Sequence, residues 1–218
     1  LNTVPPLLSN RYGLAIHTAS SDLGLAMSNF AGDTRSQIWA LGREVSNYLH
    51  AYLAEFIRPQ TWADLEFIAV AKGPGGFTGT RLGIVTARTL SQQLDLPLFA
   101  ISTLAAVAWR ELATANLKAA EPTDIAVQML AQRGELHGAI YGFNGSDRLL
   151  PRLPDSVISQ ERWQQILDAW TRPYRLVQVE GGLGATANSV LELAYQDWQL
   201  GNRPHWSDAL PYYGQNPV

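Results

Sequence analysis

A mixed α/β fold in two lobes is what the sequence predicts, and three observations predict it. Short apolar runs open the chain as an antiparallel meander. Apolar runs then alternate with segments of helical period, and the pattern breaks near Ala120 before it resumes. With 218 residues, 46% of them hydrophobic, the chain can bury one large or two small cores.

Tyr12 to Thr18 (YGLAIHT) and Leu23 to Phe30 (LGLAMSNF) read as two strands of a hairpin, joined by TASSD, where Ser and Asp favour a turn. Arg35 to Leu41 follows the turn signal Gly32-Asp33 as a third strand. From Arg43 to Ile57 the period changes. Val45, Tyr48, Leu49, Tyr52, Leu53 and Phe56 recur every three or four residues, which predicts an amphipathic helix with Pro59 as its stop. Glu66 to Ala71 is an apolar strand that runs into a glycine-rich loop, and Thr78 to Leu94 is a helix broken by Asp95-Leu96-Pro97. Leu98 to Ile101 is the next strand, and Ser102 with Thr103 can cap a helix reaching about Lys118. Leu117 to Pro122 (LKAAEP) reads as a linker, so the predicted lobes are residues 1–118 and 119–218. Beyond it, Ile125 to Ala131 and Leu136 to Phe143 are strands meeting at the turn Arg133-Gly134. Glu161 to Trp170 is a helix, Leu176 to Val179 a strand, and Ala187 to Leu200 a helix. The tail from Gly201, rich in Pro, Trp and Tyr, has no period and is expected to pack across the lobes.

Composition excludes several classes. The chain carries 16 basic and 19 acidic side chains, a net charge of -3, with no run of like charge, so it is not expected to hold nucleic acid unaided. Cysteine is absent, which removes disulfides and thiolate metal sites. The opening stretch LNTVPPLLSNRYG reads as neither signal peptide nor membrane anchor, and a soluble cytoplasmic protein is the expectation.

The stretch AKGPGGFTGTRLG, Ala71 to Gly83, is the main candidate for chemistry. A Walker loop needs Gly-Lys-Ser/Thr after four residues, and here Gly73 plus four residues brings Thr78. The dinucleotide pattern matches at Gly73 and Gly75 but finds Thr78 at its sixth position. Two readings stand. In one, the helix N-terminus with Lys72, Gly73, Gly75, Gly76, Thr78 and Gly79 keeps a weak anion site. In the other, glycines and proline make a tight strand-to-helix turn and Thr78 is an ordinary N-cap. On the helix that follows, Gly79, Gly83 and Ala87 share one face, where another helix could approach closely. The two glycines cost roughly 2 kcal/mol of helix propensity, which packing should offset.

GPGGFTGTRLG resembles the GPGSFTGLRIG signature of the TsaB (YeaZ) family, bacterial proteins of threonylcarbamoyladenosine biosynthesis on tRNA. LAIHTAS is similar to that family's LAIDTAT, LDLPLFAISTLAAVA to its strand and helix after the loop, and RGELHGAIYGF to its RGEVYWALY. The likeness runs from Tyr12 to about Phe143 and thins beyond. It implies an actin-like ATPase fold (ribonuclease H-like) with two lobes of mixed sheet flanked by helices. It also implies a subunit without chemistry of its own, paired with the transferase TsaD and joined by the ATPase TsaE. TsaD moves the threonylcarbamoyl group to a tRNA adenosine, so tRNA is met only through the complex. The implied partner interface is the helices on either side of the loop, for which Val45, Tyr48, Leu49, Tyr52, Arg81, Gly83 and Ala87 are the candidates. A homodimer through a similar surface is expected when the partner is missing.

Departures from the family pattern favour a scaffold over an enzyme. His17 stands where the family often has Asp, Val45 where its helix often has His, and Leu130-Ala131-Gln132 where it has DAR. No cofactor of its own is expected, and ATP binding is the weaker expectation. The transferase relatives hold a metal through neighbouring histidines, whereas His17, His50, His137 and His205 are scattered, so no metal site and no metal-dependent glycoprotease is expected. His50 reads as a partly buried structural residue. Asp22, Asp124 and Glu135 read as a turn former, a strand start and a solvated side chain, and no Gly-x-Ser-x-Gly elbow supports a catalytic triad. The competing function is an independent ATPase or kinase-like enzyme on the same fold.

Overall fold

The computed structural model describes residues 6–114, 123–143 and 148–214. The proposed linker Leu117 to Pro122 lies outside the described residues.

Five strands form the first sheet: β1 (Tyr12–His17), β2 (Asp22–Ser28), β3 (Thr34–Ala40), β4 (Leu65–Ala71) and β5 (Leu98–Ile101). Their order is β3-β2-β1-β4-β5, with β1 antiparallel to β2 and parallel to β4. The meander and the first crossover therefore meet at β1, which is buried along its whole length because both faces of the sheet are covered. One face receives α1 (Val45–Phe56) and α2 (Phe77–Leu94), with Leu14, Ile16, Ile68 and Val70 packed against Leu49, Leu53, Ile84 and Ala87. The other face receives α5 (Ala187–Gln199), whose Trp198 ring lies 6.4 Å from that of Phe67. α2 closes on Asp95 in the left-handed conformation, with the Leu96 N–H on Ser91 O.

The second sheet joins β6 (Asp124–Leu130), β7 (Leu136–Phe143), β8 (Leu149–Ile158) and β9 (Tyr174–Val179) in the order β8-β7-β6-β9. The β6–β7 hairpin turns at Arg133 and Gly134, both at positive φ, as their sequence predicts. α3 (Thr103–Thr114) follows β5, and α4 (Gln160–Asp168) is capped by Ser159 and seats Trp163 and Leu167 on Ala126, Leu136 and Ile140. The Trp163 indole N–H donates to Gln128 Oε1 at 2.6 Å. Asp124 does start a strand, fully buried, where its Oδ2 accepts from Arg172 Nε at 3.0 Å and Trp170 Nε1 at 3.1 Å. Glu135 is half-buried rather than solvated.

Two features correct the sequence reading. β8 is a strand that the sequence does not announce, because Pro151 and Pro154 break its pattern. As an edge strand paired only with β7, it has no second ladder for the prolines to interrupt. The division at residues 118 and 119 is also wrong for the C-terminal part. Contacts group Leu1–Thr103 with Gly182–Tyr212 and Leu104–Gly181 with Tyr213–Val218. The reason is the apolar face of α5, where Ala187, Val190, Leu191, Ala194 and Trp198 are buried, and α5 packs on β1, β2, β4 and β5. The tail follows α5. Up to Tyr212 it belongs to the first unit, and Ala209 is part of the first core.

Candidate functional site

β4 delivers the chain into the glycine loop at Lys72, which is half-buried and held by its backbone. Its N–H donates to Ile101 O at 2.8 Å and its carbonyl accepts from Tyr212 N at 2.7 Å. Gly73 follows at φ +100°, a conformation that favours glycine, and the Gly73–Pro74 peptide bond is cis. The Gly73 carbonyl accepts from Thr103 N at 2.9 Å, and Gly76 N–H donates to Ala19 O at 2.8 Å. The N-cap of α2 is Gly76, not Thr78, which lies exposed in the first helical turn.

What fills the space beside the glycines bears on both readings of the loop. A Cβ on Gly75 would sit 2.3 Å from Ala19 O, one on Gly79 2.1 Å from Thr18 O, and one on Gly83 2.3 Å from Thr18 Oγ1. A Cβ on Gly73 would meet Tyr212 O at 2.3 Å. Four glycines thus face atoms of the chain itself: three take the turn between β1 and β2, and the fourth takes the tail. The Thr18 hydroxyl then donates to Gly79 O at 2.7 Å and stitches the turn to the helix. Residues spaced by four on one helix face are where the sequence placed a neighbouring helix; at Gly79 and Gly83 the neighbour is instead Thr18, by its carbonyl and its hydroxyl. Of the loop glycines, Gly76 is exposed and its Cβ would meet only Ala19 O at an ordinary 3.7 Å. The close approach that Gly73, Gly75, Gly79 and Gly83 permit is thus taken by the chain itself, while Gly76 stays open.

His17, at the end of β1, is fully buried, and burial pushes its pKa down to about 4. Its Nδ1 faces the Ala19 N–H at 3.4 Å, and its Nε2 has no hydrogen-bond partner among the described residues. At neutral pH the ring is uncharged, so it supplies neither the negative charge of a carboxylate nor a positive one.

The candidate interface residues separate into two sets. Val45, Leu49 and Ala87 are buried in the first core, and Gly83 is buried against Thr18 and Val70, so these four are corrected to core positions. Gly83→Leu and Ala87→Arg would act on the chain's own packing rather than on a partner. Tyr48, 47% exposed, and Arg81 face outward, and Tyr52 is half-buried, stacked on Trp39 at 4.6 Å. Two further exposed apolar side chains escaped the sequence reading: Phe77, 43% exposed, and Val85, 53% exposed. Val85 lies four residues after Arg81 on the outer ridge of α2, a spacing that could have revealed it. α1 and α2 are in contact, so their outward faces adjoin. His50 is exposed on α1, not partly buried. Among the described residues there is no group of three or more His, Asp and Glu side chains that could hold a metal, and no helix is long and apolar enough to cross a membrane.

With this geometry in hand, the chain can be compared with known proteins. The tRNA threonylcarbamoyladenosine biosynthesis protein TsaB of Bacillus subtilis (strain 168) is 31% identical over 166 residues, 73% of this chain and 67% of that protein. The chain belongs to the TsaB family. The TsaB of Escherichia coli (strain K12) is 27% identical over 189 residues, 82% of this chain and 77% of that protein. YeaZ from Pseudomonas aeruginosa, at 22% identity, superposes with a TM-score of 0.77 over 93% of this chain and 99% of that one. The fold is the actin-like α/β fold that the TsaB resemblance implies. Residues 53–160 also match the family model of TsaD, tRNA N6-adenosine threonylcarbamoyltransferase. Within those residues the one histidine is His137.

Proposed function

We propose that this TsaB-family chain serves tRNA threonylcarbamoyladenosine biosynthesis as a subunit without chemistry of its own, pairing with a TsaD-like transferase through α1 and α2. The observation that carries the proposal is the exposure of Tyr48, Phe77 and Val85 on those two helices, which precede and follow the loop. Aromatic and apolar side chains on one adjoining surface are what a protein interface buries. Two features support a scaffold. Gly73, Gly75, Gly79 and Gly83 are packed against the chain itself, and the last position of β1 holds a neutral buried His17. A TsaE-like ATPase joins the pair in this reading, tRNA is contacted through the complex, and the same helices form a homodimer when the partner is missing.

The test is light scattering after size exclusion, with the chain alone and mixed with the TsaD-like protein of the same organism. A one-to-one complex that consumes any homodimer is expected. Tyr48→Asp and Val85→Asp should each weaken it by about tenfold or more, with the thermal midpoint unmoved, because an uncompensated charge is buried at the interface. Full affinity in both variants would remove these helices as the interface.

A further inference from the structure

The outer ridge of α2 carries a charge that nothing in the chain answers. Phe77, Arg81 and Val85 follow one another at four-residue spacing, so their side chains share one stripe of the helix surface. All three are exposed, Phe77 at 43% and Val85 at 53%. Arg81 thus projects between two apolar side chains. Among the described residues, no hydrogen bond or ion pair of the chain reaches its guanidinium.

The helix itself supplies no counter-charge. Its 18 residues include two ionised side chains, Arg81 and Arg88, both positive. Arg88 is engaged inside the chain, with its guanidinium 5.4 Å from the Trp206 ring centroid. On the adjoining α1 side the carboxylates are Glu44, just before the helix, and Glu55 in its last turn. Glu44 Oε2 accepts from Asn47 Nδ2 at 2.6 Å, and Glu55 lines the cleft between α1 and β3 together with Arg35 and Arg58. Asp95 lies beyond the last turn of α2, about 15 Å along the axis from Val85 and outside a contact centred on the exposed stripe.

Desolvation turns this into a requirement on whatever covers the stripe. An interface that buries Phe77 and Val85 also buries the guanidinium between them, and an unpaired buried guanidinium opposes association strongly. A second copy of the chain brings the same cationic stripe, with its own carboxylates held elsewhere. We propose that Arg81 is the specificity determinant of this surface: the partner sets a carboxylate against its guanidinium, and the lack of one on a second copy makes self-pairing the weaker assembly. On the partner reading above, on which this rests, the transferase face is apolar with one acidic side chain opposite Arg81. Arginine suits the task, because its planar guanidinium holds a carboxylate through two parallel hydrogen bonds.

The test is the kinetics of association with the TsaD-like protein of the same organism, at low and high salt, for wild type, Arg81→Leu and Arg81→Lys. Self-association of each is measured by sedimentation on the same samples. Arg81→Leu should leave the transferase about tenfold faster and lose less affinity on raising salt, while its homodimer is at least as tight as that of wild type. Arg81→Lys should recover part of the affinity and of the salt dependence. Thermal midpoints should not move, since the side chain has no partner within the chain to lose. A loss confined to the association rate is diffuse attraction and overturns the ion pair. Equal weakening of both assemblies overturns the choice of partner, since a second copy would then supply the carboxylate. Unchanged transferase kinetics in Arg81→Leu, with wild type binding, removes the role of Arg81 and leaves the partner reading standing. Wild-type protein that binds no transferase at either salt removes that reading and the ion pair with it.

Discussion

His17 shows how one side chain can carry a pH dependence without doing chemistry. Burial lowers its pKa from 6.5 to about 4. Between those values the unfolded chain binds a proton that the folded chain refuses, so stability rises with pH across the window and is lost as pH falls from about 6.5 towards 4. The shift corresponds to about 3 kcal/mol. Denaturant unfolding at a series of pH values should show that loss, and His17→Leu should remove it at a cost of about 1 kcal/mol at pH 7, since the long contact of Nδ1 with the Ala19 N–H is given up while Nε2 has no partner among the described residues. His137 adds a slope of the same sign that the variant keeps: burial lowers its pKa, with Asp155 and Glu135 opposing. If the variant titrated as the wild type does, His17 would not be the source. The identity of His17 was legible in the sequence as a departure from the family's Asp. Its burial on both sides was not, because that depends on α5, which arrives 170 residues later. The same limit misplaced Gly83 and Ala87: spacing by four marks a face on which small residues are wanted, but not whether a partner or the chain's own turn lies against it.

At the scale of elements, periodicity located α1, α2, α5 and most strands, and it failed where a long-range contact replaces a local signal. The C-terminus of α1 is the clearest case. No basic residue stands in its last turn, yet its carbonyls are satisfied by Arg35 from β3. The guanidinium donates to Phe56 O at 3.2 and 3.1 Å, to Ile57 O at 3.0 Å and to Arg58 O at 3.3 Å, and it also reaches Gln60 Oε1 at 2.7 Å. A positive group on the terminal carbonyls does the work of a C-cap and complements the helix dipole. Arg35→Met keeps the stem and removes the donors. It should cost about 2 kcal/mol of stability by denaturant titration, with α1 the first segment to lose amide protection. A variant as stable as wild type would mean that water replaces the clamp without penalty. Sequence reading could not see this contact, since 21 residues separate the partners and the arginine sits in a strand. In β8 the difficulty is reversed, for two prolines argue against a strand that an edge position permits.

At the scale of the whole chain, the first unit is not finished until α5 has been made. β1, β2, β4 and β5 can cover one face with α1 and α2, but Phe67, Ala69 and Phe99 on the other wait for α5. Trp198 anchors that contact. It is 5% exposed, its ring lies near Phe67 and Tyr195, and the Arg203 guanidinium sits 4.2 Å from its centroid. Trp198→Ala should cost about 3–5 kcal/mol. The informative readout is where the loss falls. If α5 belongs to the first unit, exchange should accelerate in β1 and β4 while amides of β6 and β7 keep their protection. The division suggested by sequence order, with everything after residue 118 in a second lobe, demands the opposite pattern. Loss of protection confined to β6 and β7 would return α5 to the second unit and leave the Phe67 face of the first sheet to be covered by something else.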